Sequence, residues 1–296
     1  MSIEGSITAL VTPMNEKGDL DYQSLEKLIN FQIDSGISGL VAVGTTGESA
    51  TIDFEDHIQL IEFFIKISNG RVHIIAGTGA NSTEEALHLT KEAKNLGADA
   101  ALLVSPYYNK PPQEGIYRHH AKIADEVDIP QILYNVPSRT ASFIEPETVR
   151  RLSPHQNIMG IKDATGDMKN LSEVLKLCEE DIKDKNFFLY SGDDFSSLEF
   201  LKKGGHGTIS VTSNVVPEII SEICLQVKSN FSKAKQLDDK IKNLNKSLFC
   251  ESNPIPVKWA LHQMGLIKNG LRLPLVELND LFKESVKNSL EELNLI

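Results

Sequence analysis

Eight short apolar runs recur along the chain, most of them followed by a stretch with helical spacing. That alternation limits the possible folds more than any other feature. The runs are 6–11 (SITALV), 39–43 (GLVAV), 72–76 (VHIIA), 100–104 (AALLV), 130–135 (PQILYN), 157–161 (NIMGI), 187–191 (FFLYS) and 207–211 (GTISV). They are apolar almost throughout rather than alternating, as expected of strands covered on both faces in a parallel sheet. After the third run, Ala86, Leu89, Ala93 and Leu96 recur at the spacing of one helix face. Eight strands with interleaved helices predict an α/β fold, a (β/α)8 TIM barrel; an open doubly wound sheet is the alternative. No GxGxxG follows the first run, which weakens the dinucleotide-binding form of that alternative. Past the eighth run only helical patterns remain. The segment 217–249 and the stretch from Pro274 read as appended helices, giving a barrel over 1–215 and a C-terminal helical extension over 216–296.

Bulk properties mainly exclude. The 296 residues are 41% hydrophobic and 24% charged, an ordinary globular balance that suits one large barrel or two smaller domains. No apolar run approaches the ~20 residues of a membrane helix, and the opening MSIEGSITALVTP has no basic region leading into an apolar core. Three widely spaced cysteines without a CxxC (Cys178, Cys224, Cys250) predict reduced, partly buried thiols and a cytoplasmic setting. A net charge of −11 disfavours nucleic acid and anionic membranes as partners. It does not disfavour a small anionic substrate, provided a local pocket supplies cationic side chains or backbone N–H groups.

In such a barrel the C-terminal ends of the strands carry the chemistry. Polar residues collect there: GTTGES (44–49), GTGAN (77–81), SPYYNKP (105–111), YNVPSRT (134–140), Lys162-Asp163 and SGDD (191–194), while GGHG (204–207) precedes the last run. A lysine after a strand can be a solvated loop residue. Alternatively, Lys162 rises through the inner layers of the barrel, where desolvation disfavours its ammonium form. A fall from ~10.4 toward ~7–8 would leave a usable share of free amine, the form that attacks a carbonyl. GTTGES is either a tight turn or a cradle of backbone N–H groups and hydroxyls for a carboxylate. GTGAN is a weak signal by itself. Tyr134 fits a core aromatic with a wet hydroxyl, and Arg139 a surface residue or a bidentate carboxylate clamp. The adjacent aromatics Tyr107-Tyr108 suit an interface as well as a pocket. HExxH and GxSxG are absent. His119-His120 point roughly 100° apart on a helix, a poor metal pair, and read as solvated or satisfied.

With GTTGE, GTGAN, SPYYNKP, YNVPSRT, GIKDATGD, GGHGTISV and NPIPVKWAL in this order, the chain closely resembles the 4-hydroxy-tetrahydrodipicolinate synthase family. That family belongs to the pyruvate-dependent lyases on this barrel. The likeness runs from Gly5 to about Pro274. It implies an imine between Lys162 and pyruvate, with Tyr134, Thr45 and Tyr108 relaying protons; Tyr108 would come from a neighbouring subunit. It further implies that Thr46, with Thr45, holds the pyruvate carboxylate, that Arg139 holds the carboxylate of L-aspartate 4-semialdehyde, and that Gly192 and Ile209 line the pyruvate pocket. No organic cofactor and no catalytic metal are implied, and the assembly would be a homotetramer of two tight dimers. Feedback inhibition by L-lysine would use Ser49, Ala50, His57, Asn81, Glu85 and Tyr107, with His57 on a helix capped by Asp53. Phe54 departs from lysine-sensitive relatives, which often carry histidine there. Arg139 and the tyrosine pair favour this branch over lyases acting on sugar acids or N-acetylneuraminate, and over a pyruvate-binding regulator without activity.

Overall fold

In the computed structural model, which describes residues 2–296, eight parallel strands close into one barrel in chain order. They are β1 (Gly5–Ala9), β2 (Gly39–Ala42), β3 (His73–Gly77), β4 (Ala100–Val104), β5 (Gln131–Asn135), β6 (Ile158–Asp163), β7 (Phe188–Ser191) and β8 (Gly207–Ser210). Each strand lies within two residues of its predicted run at either end. The continuous apolar character has a direct cause in the packing. Alternate residues such as Val41, Ile75, Leu102, Ile132, Tyr190 and Ile209 fill the barrel interior. Their neighbours Leu40, Ala42, Ile74 and Ala76 face the helix layer, as do Leu133, Ile161 and Leu189. The Tyr190 hydroxyl donates to the Ile3 carbonyl at 2.9 Å across the N-terminal end of the barrel.

The surrounding helices begin where the sequence supplies caps. Asp21 accepts from the Ser24 amide ahead of helix Tyr22–Asp34, and Asp53 from the Asp56 amide ahead of helix Phe54–Ser68. A cap of this kind contributes about 1 kcal/mol. Helix Thr83–Leu96 buries Ala86, Leu89 and Ala93, the face predicted from their spacing. Beyond β8, helix Pro217–Gln226 rests against β1, and helices Phe231–Lys240, Lys242–Ser247 and Ile255–Gln263 follow. The stretch from Pro274 departs from expectation, because its helix spans only Asp280–Glu291. Between Pro274 and Asn279 only Leu278 is buried while Val276 lies exposed, and the first cap is Asn279, which accepts from the Leu281 amide. No helix among the described residues is long and apolar enough to cross a membrane.

The histidine pair also needs correction. His119 and His120 lie on helix Gln113–Glu126 and are buried, not solvated. Among the described residues, only Nδ1 of His119 has a partner, the Thr83 hydroxyl at 2.9 Å. Its Nε2 and both ring nitrogens of His120 have no hydrogen-bond partner among them. The face that buries Ile116 and Ile123 is wide enough to take both neighbours, because this helix packs between Thr83–Leu96 and Pro146–Leu152. Burial lowers both pKa values, that of His119 to about 4, so the rings are neutral at physiological pH.

Candidate active site

Register puts the central pair together. On adjacent strands Lys162 pairs with Tyr134, so both side chains point into the barrel near its C-terminal end. The Lys162 Nζ lies 4.3 Å from the centre of the Tyr134 ring, and both residues are buried. Burial pulls the Lys162 pKa down to about 7; the Asp194 carboxylate opposes that fall and the Arg139 guanidinium adds to it. Burial likewise raises the Tyr134 pKa, while Arg139 and the Thr45 side chain draw it back. Burial thus favours a protonated phenol beside an amine whose free-base form is well populated near neutral pH.

Gly192 makes room for the lysine stem. A methyl group at Gly192 would sit 2.7 Å from Lys162 Cε, too close for any side chain. Ile209 on β8 belongs to the same interior cluster as Tyr134. Thr45 and Thr46 follow β2 in a tight turn, and neither amide donates a hydrogen bond among the described residues. Two backbone donors are therefore free at the mouth of the barrel, suited to a carboxylate.

Arg139 lies on the short helix Pro137–Thr140 after β5 and is exposed in the single chain. Its Nη2 donates to the Asn253 carbonyl at 3.1 Å. The Asn253 Nδ2 in turn donates to the Thr46 hydroxyl at 3.0 Å. Asn253 thus ties the arginine to the threonine turn, a link that sequence reasoning missed although it fell inside the NPIPVKWAL motif. Asp194 was missed as well: it is buried, and it accepts from the Val211 and Thr212 amides at 2.9 and 3.0 Å. An acidic residue placed at a strand end was the available signal.

A cavity of about 460 Å³ opens at this end of the barrel, within the range of small-molecule sites. Thr45 and Arg139 line it, while Lys162, Tyr134 and Ile209 are buried in the barrel and, like Gly192, are not among its lining residues. The same cavity reaches Ser49, Ala50, His57, Glu85 and Tyr107. Asn81 is near, because it and Glu85 both influence the Tyr107 phenol, whose pKa burial raises. The His57 Nε2 donates to the Gly77 carbonyl at 2.8 Å, which fixes the tautomer and leaves Nδ1 as an acceptor. Burial lowers the His57 pKa, keeping the ring neutral. Phe54 stacks on His88 with ring centres 4.7 Å apart. Tyr108, unlike its neighbour Tyr107, is not among the residues lining the cavity. It is 89% exposed and has a left-handed backbone with φ 73°, so the single chain does not bring it to Thr45.

Known proteins with this arrangement agree with one another. The chain is 52% identical over 291 residues to 4-hydroxy-tetrahydrodipicolinate synthase of Pseudomonas aeruginosa, covering 98% of each chain. Its fold is similar to that of the chloride-inhibited dihydrodipicolinate synthase of Acinetobacter baumannii complexed with pyruvate. There the TM-score is 0.96 at 51% identity, over 100% of both chains. It is also similar to the dihydrodipicolinate synthase of Cyanidioschyzon merolae with lysine bound, with a TM-score of 0.94 at 35% identity over 99% of each chain. Residues 2–293 match the dihydrodipicolinate synthetase family, and the chain belongs to that family.

Proposed function

We propose that this protein condenses pyruvate with L-aspartate 4-semialdehyde to give 4-hydroxy-tetrahydrodipicolinate, through an imine formed on Lys162. The observation that carries the reading is a buried lysine, its pKa down at about 7, facing a protonated tyrosine. The A. baumannii relative's complex with pyruvate supports the first substrate.

The free amine of Lys162 attacks C2 of pyruvate, forming a C–N bond as the carbonyl oxygen takes up a proton. Tyr134 donates the proton on which that oxygen leaves as water, giving the imine. Loss of a C3 proton makes the enamine, whose C3 attacks the aldehyde carbon of the second substrate and forms the new C–C bond. The amino group of the product then adds to C2 and displaces Lys162, closing the ring and regenerating the amine. The lysine serves as electron sink throughout. The Thr45 and Thr46 amides hold the pyruvate carboxylate, Gly192 and Ile209 bound its pocket, and Arg139 holds the carboxylate of the semialdehyde.

Thr45 hands protons onward to Tyr108 of a second copy of the chain. The exposure of Tyr108 favours this reading, because a tyrosine 89% exposed on a left-handed loop has nothing to do within its own subunit. The assembly is a homotetramer of two tight dimers. L-Lysine inhibits from the outer part of the cavity, with Glu85 pairing the α-ammonium, Asn81 and Tyr107 donating to the carboxylate, and neutral His57 accepting from the ε-ammonium. The lysine-bound C. merolae relative supports that ligand.

The test is borohydride trapping with pyruvate, followed by a side-by-side comparison of acceptors. One reduced pyruvate unit on Lys162, and aspartate semialdehyde preferred over N-acetylmannosamine, are expected. An adduct on another lysine, or the opposite acceptor preference, would refute the reading.

A further inference from the structure

The turn that carries Thr45 and Thr46 is bracketed by two non-glycine residues in left-handed conformations, Val43 at φ 52° and Glu48 at φ 62°. For a β-branched valine this conformation is a genuine outlier, and such strain persists only where the surroundings enforce it. Between these residues the chain doubles back closely: a methyl group at Gly47 would lie 3.1 Å from the Val43 Cα.

The enforcement comes from far along the chain. Glu48 is buried, and its Oε1 accepts from Lys258 Nζ at 2.5 Å, with both side chains fully shielded from solvent. The same Lys258 Nζ donates to the Thr12 carbonyl at 2.9 Å, and the Thr12 hydroxyl donates to the Gly47 carbonyl at 2.7 Å. The other Glu48 oxygen accepts from the Arg272 amide at 3.3 Å. The Arg272 guanidinium then donates to the carbonyls of Gly18 and Thr51 and to Asp56. The ties from Thr12, Lys258 and Arg272 meet the turn at its far end, at Gly47 and Glu48. A buried ion pair is poor evidence of stabilisation, since well-packed neutral side chains often do as well. What it offers here is a single conformation for a strained loop.

We propose that Glu48 and Lys258 are positioning residues for the carboxylate turn, their ion pair aiming the Thr45 and Thr46 amides at the pyruvate carboxylate. This rests on the reading of those amides given above. It makes helix Ile255–Gln263 a working part of the active site, although Lys258 is 210 residues away from Glu48 in sequence.

The test uses the full-length protein as Lys258→Met and as the neutral pair Glu48→Gln/Lys258→Met. Three quantities are read: the pyruvate concentration giving half-maximal borohydride trapping on Lys162, turnover at saturating substrates, and the melting temperature. The half-saturating concentration is expected to rise about tenfold or more in both variants, with saturated turnover within about twofold of wild type. The neutral pair should recover most of the melting temperature lost by Lys258→Met without recovering pyruvate affinity. A purely structural pair would recover both together, and that result would overturn the proposal. So would wild-type pyruvate affinity in either folded variant, or failure of both variants to fold, which would assign the pair to the fold at large. If wild type itself gives no pyruvate adduct, the proposed function fails and this inference with it.

Discussion

Replacing Lys162 with methionine should make the protein more stable, and by an amount that depends on pH. The folded-state pKa of Lys162 is about 7 against an ordinary 10.5, because burial disfavours the ammonium. A lysine whose pKa falls on folding is protonated more readily in the unfolded chain. It therefore opposes folding most strongly below the folded value, and not at all above the unfolded one. Integrating between the two values gives a penalty of roughly 4 kcal/mol at pH 7 and about 2 kcal/mol at pH 9. Lys162→Met removes the titrating group but keeps an unbranched stem against Gly192. Asp194, losing its cationic neighbour, subtracts something from the gain. Urea unfolding of both proteins at one subunit concentration, at pH 7 and pH 9, measures the effect. The variant should be more stable by up to several kcal/mol at pH 7, with the difference shrinking by about half at pH 9. An equal difference at the two pH values, or a less stable variant at pH 7, would refute the idea that desolvation primes this amine. From the same cause, the rate of pyruvate imine formation should climb with pH through about 7 in the wild-type protein.

Arg139→Ala should lower kcat/KM for aspartate semialdehyde by about 2 kcal/mol, the value of a charge-assisted pair that is partly solvated, while half-saturating pyruvate hardly changes. Steady-state kinetics with each substrate varied would check it, and an equal loss for both would contradict the assignment. Tyr108→Phe should depress turnover far more than imine trapping, and sedimentation should find a tetramer; a fully active monomer would show that Tyr108 is not shared between subunits. L-Lysine should inhibit at millimolar concentration near neutral pH, and Glu85→Ala should abolish that inhibition while sparing the uninhibited rate. No inhibition at millimolar L-lysine would remove the effector role assigned to Ser49, Ala50, His57, Asn81, Glu85 and Tyr107.

What was legible in the sequence follows from how local its physical cause is. The eight strands could be read because burial on both faces makes each run apolar within a few residues. Lys162 could be read because it ends such a run, where a charge has no cheap place to go. The Lys162–Tyr134 pairing then needed only the register of two adjacent strands. Asn253 and the Glu48–Lys258 pair lay beyond reach, since Asn253–Thr46 and Glu48–Lys258 join positions more than 200 residues apart and Asn253–Arg139 positions 114 apart. Their only local sign was a polar residue inside an apolar stretch, as in the IPVKWAL helix. That sign also fits a lysine whose stem lies on the surface with its head in water. The histidine pair misled for a related reason. Two adjacent residues rarely face inward together, and here they do only because one helix is wedged between two others.

The division of labour within the fold explains why the C-terminal helices matter to the chemistry. The barrel strands supply Lys162 and Tyr134, and the loop after β7 supplies the Asp194 carboxylate, held by two amides. The carboxylate turn is different, because its free amides require an open loop and its left-handed residues resist the conformation they occupy. A loop of that kind would relax if held only by its own strand. It is held instead by Asn253 at the Thr46 hydroxyl, by Lys258 and Arg272 at Glu48, and by Thr12 at the Gly47 carbonyl. Arg272 also grips Thr51 and Asp56, at the start of the helix that carries His57. The segment beyond the barrel therefore touches Arg139, the Thr45–Thr46 turn and the start of the helix that carries His57 at once.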